Sequence, residues 1–298
     1  MFDSTGSHQK IRHPGPPAEQ RIQWVQGQVQ SATVRLPGGT PLTQAVAMAM
    51  HRLQGETAFF QLDGLQLRSG NHVLPAASVD GQHVAWYSDT KPMGACTFLS
   101  GTVVVGRKDD DWFLHCHALW KTAQGTLASG HVLCADACIA EDWDATFHVF
   151  KGGGLRVTYD AETRFSVLRP CAPPGQQTPS RQSQPMNAVL LTLQPHQDVR
   201  AALNEVSATL CIDQASVMGV GSLIGAEFAN APAMASPLSE MFLMPGADIS
   251  KGQVTALPVA CVDPMGALFQ GELLLGKGPV LITCEMLMTV KQFDRPQQ

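Results

Sequence analysis

The chain has 298 residues, of which 44% are hydrophobic, so it can bury a sizeable core and is not a wholly disordered protein. Charged residues make up 15%, and the formal net charge is -5, which does not indicate a strongly basic nucleic-acid-binding protein. No apolar run is long enough to span a bilayer, and no apolar signal segment follows Met1. We therefore expect a cytoplasmic protein without a membrane partner.

Two stretches of low hydrophobicity divide the chain. Residues 1–30 are rich in Gly, Pro, Gln and Ser, which predicts a flexible arm. Prolines alternate with Gln and Ser over residues 170–185, which predicts an extended linker. We expect one domain over 31–169, a second over 186–291 and a short tail at 292–298.

Each domain begins with a helix signal. In the first, Thr40 is the predicted N-cap, Pro41 takes the first helical position, and the helix ends at Gly55. In the second, Asp198 is the predicted N-cap and the helix ends near Leu210. The equivalent positions of these signals predict that the domains are copies of one unit.

Further positions support this internal repeat. One constant spacing aligns the early parts of the two domains, and a second, shorter spacing aligns their later parts. The aligned pairs are Leu36 with Leu193, Ala45 with Ala202, Leu53 with Leu210, Gly64 with Gly221, Gly125 with Gly266 and Gly130 with Gly271.

The residues after each helix predict strands. These are Thr102–Val105, Trp112–Leu119 and His131–Ile139 in the first domain, and Val217–Gly221, Leu273–Leu275 and Val280–Leu287 in the second. The expected fold class is α+β, with two similar units, each a mainly antiparallel sheet with an early helix packed on one face.

Three histidines form the most informative pattern. His115 and His117 are two residues apart in a predicted strand, so both side chains share one face. A hairpin about Gly125 brings His131 roughly opposite His115 on the same face. Three imidazoles with an open fourth position suit a divalent metal ion such as zinc. No fourth ligand is evident nearby, so water, a substrate oxygen or another subunit completes the shell. The histidines alternatively serve a structural role, bonding neighbours at a subunit contact.

Together these residues resemble the PPC (or PCC) domain, the plant and prokaryote conserved domain that also occurs in AT-hook nuclear proteins. The resemblance rests on His115-Cys-His117, the turn at Gly125, Gly130-His131, the closing Tyr159-Asp160-Ala-Glu162-Thr163-x-Phe165-x-x-Leu168 and the entry Arg35-Leu-Pro-Gly38-Gly39-Thr40. It implies a tandem PPC protein whose compact α+β units self-associate in a trimer-like assembly. It also implies a metal at the three histidines, as in prokaryotic members.

The chain departs from the PPC pattern in several places. Ser129 replaces the first Gly of the Gly-Gly-His step, and Trp120-Lys121 stands where an acidic residue is usual. In the second copy, Leu257, Val259 and Glu272 match the three histidines, and Thr192 matches Arg35. The second unit is therefore expected to be a scaffold that builds the assembly and one wall of the site.

The first functional hypothesis is a metal-dependent site that binds or transforms a small molecule. His115, His117 and His131 hold the ion, and Arg35 pairs with a carboxylate of the substrate. Whether the site is catalytic stays open at this stage. Arg35 is alternatively an ordinary ion-pair residue.

Two other functions compete with this one. A DNA-associated regulatory protein is the label usual for the family, but the chain has no Arg-Gly-Arg-Pro core and a net charge of -5, so we do not expect specific DNA binding. A non-catalytic assembly module is the third possibility, and it suits a second copy without histidines.

Overall fold

A computed structural model describes residues 11–172 and 186–293 of the chain. Its first group of elements comprises β1 (Ile22–Leu36), α1 (Leu42–Leu53), β2 (Thr57–Gln61), β3 (Gln66–Ser69), β4 (Asn71–Val73), β5 (Pro75–Ala76), β6 (Trp86–Tyr87), β7 (Lys91–Pro92), β8 (Cys96–Lys108), β9 (Asp111–Thr122), β10 (Leu127–Val132), β11 (Cys138–Ile139), β12 (Trp143–Lys151), β13 (Gly154–Tyr159) and β14 (Ser166–Cys171). The second group comprises β15 (Ala188–Leu193), α2 (Val199–Thr209), β16 (Ile212–Leu223), β17 (Glu240–Leu243), β18 (Asp248–Ser250), β19 (Gln253–Ala256), β20 (Pro258–Val262), β21 (Leu268–Glu272) and β22 (Val280–Phe293).

The strands pair almost entirely antiparallel, as expected for the α+β class. Hydrogen bonds join the first group in the order β10, β9, β8, β2, β12 and β1. They join the second group in the order β21, β20, β17, β16, β22 and β15. The second order repeats the first strand for strand, and β1 also pairs with β15, so the two groups form one continuous hydrogen-bonded path.

Both predicted helices are present, with one difference at their first residues. The side chain of Asp198 accepts a hydrogen bond from the backbone N–H of Ala201 at 2.8 Å, so it caps α2 as predicted. The N-cap of α1 is Pro41 rather than Thr40, and no side chain caps this helix. Neither helix of the described residues is long and apolar enough to cross a membrane.

Three large hydrophobic clusters and one small one hold the described elements together. The first lies under α2 within the second group, and another lies under α1 within the first group. A third contains buried residues of both groups, among them Phe59, Val104, Leu190 and Leu287. Because burying one such side chain stabilises the fold by about 1.5–3 kcal/mol, this cluster fixes one group against the other. The two groups of strands are therefore in direct contact.

The predicted arm over residues 1–30 is wrong for its last part, because β1 begins at Ile22. Residues 22–27 pair with β15, and residues 28–36 pair with β12. The Gln-rich composition suggested disorder, but the apolar residues Ile22 and Trp24 alternate with polar ones, and that period suits a half-buried strand. The first ten residues, positions 173–185 of the predicted linker and positions 294–298 of the predicted tail lie outside the described residues.

Two predicted strands are also corrected. The strand expected over His131–Ile139 is interrupted after Val132 by a turn, in which the N–H of Asp136 donates to the carbonyl of Leu133 at 2.9 Å. Residues 273–275 form a bridge and a turn rather than a strand, since the N–H of Lys277 donates back to Leu274. Apolar runs alone do not separate a strand from a buried turn.

Most of the aligned positions occupy equivalent places. Leu36 and Leu193 each end the strand before a helix, and Gly125 and Gly266 both have positive φ in the β9–β10 and β20–β21 turns. The match of Gly64 with Gly221 fails, because Gly64 lies in a turn and Gly221 lies within β16.

Candidate metal centre

The three predicted histidines come together at the β9–β10 hairpin. His115 and His117 share one face of β9, and the hairpin turns at Gly125, whose φ of 87° favours glycine. The pairing places His131 directly opposite His117, not opposite His115 as we expected, because the turn shifts the register by two residues. All three imidazoles still reach the same side of the sheet.

The ring nitrogens lie at spacings that suit a metal ion. The Nε2 atom of His117 is 3.1 Å from Nε2 of His115 and 3.2 Å from Nδ1 of His131. One candidate ligand atom from each ring lies within 4.8 Å of the other two. A tetrahedral zinc ion with bonds of about 2.05 Å holds its nitrogens about 3.3 Å apart. The rings therefore need little movement to coordinate such an ion.

The outer nitrogens of two rings have partners in the second group of strands. Nδ1 of His117 lies 2.8 Å from the backbone oxygen of Met241, and Nδ1 of His115 lies 3.0 Å from Oε2 of Glu285. Each oxygen accepts the Nδ1 proton, so Nε2 of both rings keeps its lone pair for a ligand. Metal-binding histidines are commonly oriented in this way by a carbonyl or a carboxylate.

Glu240 supplies a fourth candidate ligand, which the sequence analysis did not find. Its Oε2 atom lies 3.1 Å from Nε2 of His117, a spacing equal to that between His117 and His115. Glu240 is the first residue of β17 and is largely buried. Three imidazole nitrogens and one carboxylate oxygen form a donor set that zinc accepts.

The charges around the cluster favour a cation. Burial lowers the pKa of His115, but the carboxylates of Glu285 and Glu240 outweigh burial, so this pKa is raised. Burial and then the rings of His117 and His115 hold the pKa of His131 well below its usual value. A neutral His131 offers its lone pair at neutral pH, and the two carboxylates supply the negative charge that a divalent ion neutralises.

Glu285 is held in place by a chain of hydrogen bonds. The hydroxyl of Thr283 donates to Oε1 of Glu285 at 3.1 Å, and Arg169 donates to that hydroxyl at 3.2 Å. Arg169 also lies 3.6 Å from Asp160, which accepts a hydrogen bond from the hydroxyl of Thr163 at 2.6 Å. The closing motif that resembles the PPC pattern is therefore linked to the histidine cluster through Arg169 and Thr283.

A cleft opens beside the cluster. His115 and His131 lie on its wall, and both carboxylates, Glu240 and Glu285, also reach it. Four aromatic residues complete much of the remaining wall, namely Trp86, Tyr87, Phe113 and Phe165. A small organic molecule in this cleft would lie next to His115 and His131.

Arg35 does not join this group. It is absent from the cleft wall, and its guanidinium makes two hydrogen bonds of 2.9 Å to the carboxylate of Asp144, on the exposed β1–β12 pair. This pairing favours the alternative reading of Arg35 as an ordinary ion-pair residue. The expectation that it binds a substrate carboxylate at the histidine site is wrong, because Asp144 already takes both ends of its fork.

The register of β20 and β21 corrects the positions that match the histidines in the second group. Pro258 lies opposite Glu272 as His117 lies opposite His131, and Val259 lies opposite Gly271 as Ala118 lies opposite Gly130. His117 therefore matches Pro258, and His115, two residues earlier, matches Ala256. These replace Val259 and Leu257, and the match of His131 with Glu272 is unchanged. The conclusion that this hairpin has no histidine set is unchanged.

The second group is more than a scaffold, because it supplies both carboxylates. Glu240 and Glu285 each stand in an apolar strand segment, Glu240 before Met241 and Glu285 between Cys284 and Met286. A glutamate inside an apolar strand is rarely buried without a partner, and this is the signal that could have identified them. Both glutamates are more than 100 residues from the histidines in sequence.

Comparison with known proteins adds a likeness of fold. The sequence matches no family model and no curated protein. A plant- and prokaryote-conserved (PPC) protein from Pyrococcus horikoshii is 16% identical to this chain, covering 49% of it and 94% of its own length, with a TM-score of 0.39. The chain is similar to a PPC protein.

Two other solved structures match a similar share of the chain. A metal-containing protein from Archaeoglobus fulgidus is 18% identical and covers 50% of this chain and 98% of its own, with a TM-score of 0.40. A candidate DNA-binding protein from Ralstonia eutropha is 15% identical and covers 48% of this chain and 95% of its own, with a TM-score of 0.38. Like the PPC protein, each corresponds to about half of this chain.

Proposed function

We propose that this protein binds a divalent metal ion, zinc by preference, and uses it to hold a small molecule in the adjoining cleft. His115, His117 and His131 supply three nitrogens, and Glu240 supplies the fourth ligand. The observation that carries this proposal is the position of Nε2 of His117, which lies 3.1–3.2 Å from one donor atom of each of the other three residues.

The tandem arrangement is part of the proposal. Two PPC-like units within one chain take different roles, the first supplying the histidines and the second supplying Glu240 and the supporting Glu285. A site with four protein ligands is typical of a held ion, whereas a site with three leaves a position open for chemistry. Because Glu240 also lies on the cleft wall, a bound molecule can displace its carboxylate from the ion. We assign ligand binding to the site and no reaction step.

The test is the metal content of protein purified without an affinity tag. We expect about one zinc ion per chain for the wild type after dialysis against zinc, measured by plasma mass spectrometry. His117→Ala removes the central ligand and leaves a poor tetrahedral site, so its metal content falls to near zero. Glu240→Gln lowers the affinity for the ion without abolishing binding, since three imidazoles remain.

A matched control is His51→Ala, which removes an exposed histidine outside the cluster. This variant keeps the metal content of the wild type. Wild-type protein without bound zinc, or a His117→Ala variant with the full content, contradicts the proposal.

A further inference from the structure

The charge and shape of the cleft constrain what the metal can hold there. Among the described residues that form its wall, none is a lysine or an arginine, and the charged side chains are Glu240 and Glu285, beside His115 and His131. A carboxylate entering this cleft meets two side chains of its own sign and no guanidinium or ammonium group.

The guanidinium of Arg169, which contacts the wall residue Thr283, already has partners. Arg169 is buried behind Thr283 and donates to that hydroxyl at 3.2 Å and to Oε1 of Gln194 at 2.8 Å. Its charge is balanced by Asp160 at 3.6 Å. Arg169 is therefore not available to bind an anion in the cleft.

The ion itself does not reverse this balance. A divalent cation beside Glu240 and Glu285 gives a neutral group, since two carboxylates cancel its two positive charges. A free divalent ion would attract an anion, and the two carboxylates alone would attract an organic cation. The neutral group attracts neither strongly. An uncharged molecule enters without an uncompensated charge.

Three of the five hydroxyl groups of the wall, those of Ser222, Ser239 and Thr283, are also already hydrogen-bonded. Ser239 bonds both backbone groups of Leu223, and Ser222 accepts from the backbone N–H of Ile282. Burial, followed by Glu240 and Glu285, raises the pKa of Tyr87, which keeps the phenol uncharged. The wall offers a ligand few free polar groups apart from those at the metal.

Aromatic rings define the rest of the cleft. The rings of Trp86 and Phe165 have centroids 5.3 Å apart, and the ring of Tyr87 lies 5.2 Å from that of His131. Trp86 and Tyr87 form the short strand β6, which pairs with β5. Offset or edge-to-face contacts at such spacings favour an aromatic ligand over an aliphatic one of equal size.

We propose that the ligand of this cleft is an uncharged small molecule with an aromatic ring, and that the cleft discriminates against carboxylates. This proposal rests on the proposed function, because the ion completes the charge balance. It replaces the carboxylate-bearing ligand expected when Arg35 was assigned to the site.

The test compares three probes of nearly equal shape, benzamide, benzoate and benzylamine, on zinc-loaded wild-type protein by saturation-transfer NMR titration. We expect benzamide to bind about tenfold or more tightly than either charged probe, because a like charge or an uncompensated one raises the free energy of the complex. Trp86→Leu removes one aromatic ring from the wall and lowers the affinity for benzamide severalfold. Tyr159→Leu, which removes an exposed ring outside the cleft, does not.

A charge-introducing pair sharpens the test. Ser166 is exposed on the cleft wall, so Ser166→Arg adds the missing cation and is expected to raise benzoate affinity about tenfold. Thr158→Arg adds the same charge on β13 outside the cleft and leaves benzoate binding unchanged.

The outcomes separate this inference from the proposed function. If the zinc-loaded protein binds benzoate as tightly as benzamide, or more tightly, the ligand assignment is overturned and the metal site is unaffected. Failure of all three probes to bind, with zinc present, also overturns it. Protein without zinc contradicts the proposed function, and in that state the two carboxylates predict that benzylamine binds best. Preference for benzoate there would defeat the charge argument independently of the metal.

Discussion

His117 is the residue on which the candidate site depends most. It is 1% exposed, its Nδ1 atom is fixed by the carbonyl of Met241, and its Nε2 atom faces His115, His131 and Glu240. The other two rings are partly exposed toward the cleft. One buried ring, with its tautomer set by a backbone oxygen, therefore orients the whole donor set.

Glu285 is expected to tune the affinity of the ion without coordinating it. Glu285→Gln keeps the shape of the side chain but replaces the charged acceptor of the His115 proton with a neutral one. Loss of such a partner typically lowers metal affinity about 10- to 100-fold. Competition with a chromophoric chelator measures the change. Glu56→Gln, at an exposed glutamate outside the cluster, serves as the control, and equal affinities for the two variants would contradict this role.

His72 is expected to make the fold sensitive to acid. Its ring packs edge-on against Trp120 at 4.9 Å, its Nδ1 atom is buried without a partner among the described residues, and burial followed by Lys91 lowers its pKa. The unfolded chain therefore binds a proton at this residue before the folded chain does. Stability conferred by a neutral His72 is full above about pH 6.5 and is lost as the pH falls from there toward its folded pKa.

His72→Phe keeps an aromatic ring against Trp120 but cannot take up a proton. We expect its free energy of unfolding to fall less than that of the wild type between about pH 7.5 and pH 5.5, as measured by urea denaturation. His51→Phe, at an exposed histidine, should follow the wild type. Parallel pH curves for His72→Phe and the wild type would rule out this account of acid sensitivity.

At the scale of elements, the β9–β10 hairpin needs a glycine beside the last ligand. A Cβ atom on Gly130 would lie 2.8 Å from the backbone oxygen of Val73 and 2.9 Å from Cδ2 of His72. Strand β4 therefore approaches β10 closely only because residue 130 has no side chain. This contact also fixes the backbone from which His131 projects.

Gly130→Ala is expected to lower stability by about 1–3 kcal/mol, the usual cost of overpacking, and to weaken metal binding by moving His131. Gly125→Ala provides the comparison, because its positive φ costs about 1–2 kcal/mol in the turn without any close contact to the cluster. Denaturant unfolding and zinc titration of both variants test this. If the two variants lose metal affinity equally, the close approach of β4 is not what positions His131.

The same hairpin shows how much of the site the sequence could predict. His115, His117 and His131 lie within one hairpin, so strand parity and a glycine turn were sufficient to bring them together. Glu240 and Glu285 reach the cluster only through the packing of distant strands, which no local pattern encodes. The assignment of Arg35 failed for a similar reason, since its partner Asp144 comes from β12 across the sheet.

At the scale of the whole molecule, β1 and the shared hydrophobic cluster join the two groups of strands. The composition of residues 22–30 did not indicate this role of β1, because its many glutamines are typical of a disordered segment. The fold class and the early helices were predictable from local periodicity and caps. The pairing of β1 with β15 was not, since it depends on a partner strand more than 150 residues away in sequence.

We expect no specific binding to duplex DNA. The net charge is -5, and many basic side chains already pair with acids, including Arg35 with Asp144, Lys277 with Glu227 and Lys291 with Asp248. The basic residues are thinly spread, with no run longer than Arg107-Lys108, whereas contacts to clustered phosphates supply most of the affinity for DNA. Fluorescence anisotropy with mixed and A·T-rich duplexes at roughly 150 mM salt should show only weak, salt-sensitive association, with Kd of about 10⁻⁴–10⁻⁶ M or weaker. Sub-micromolar affinity for the untagged protein would restore the DNA-associated function.

The central claim is that both groups of strands build one metal site, and anomalous diffraction at the zinc edge tests it most directly. Crystals of wild-type protein equilibrated with zinc should show one strong anomalous peak, about 2.0–2.2 Å from nitrogens of His115, His117 and His131 and from an oxygen of Glu240. A peak elsewhere in the molecule, or no peak at the three histidines, would contradict the claim.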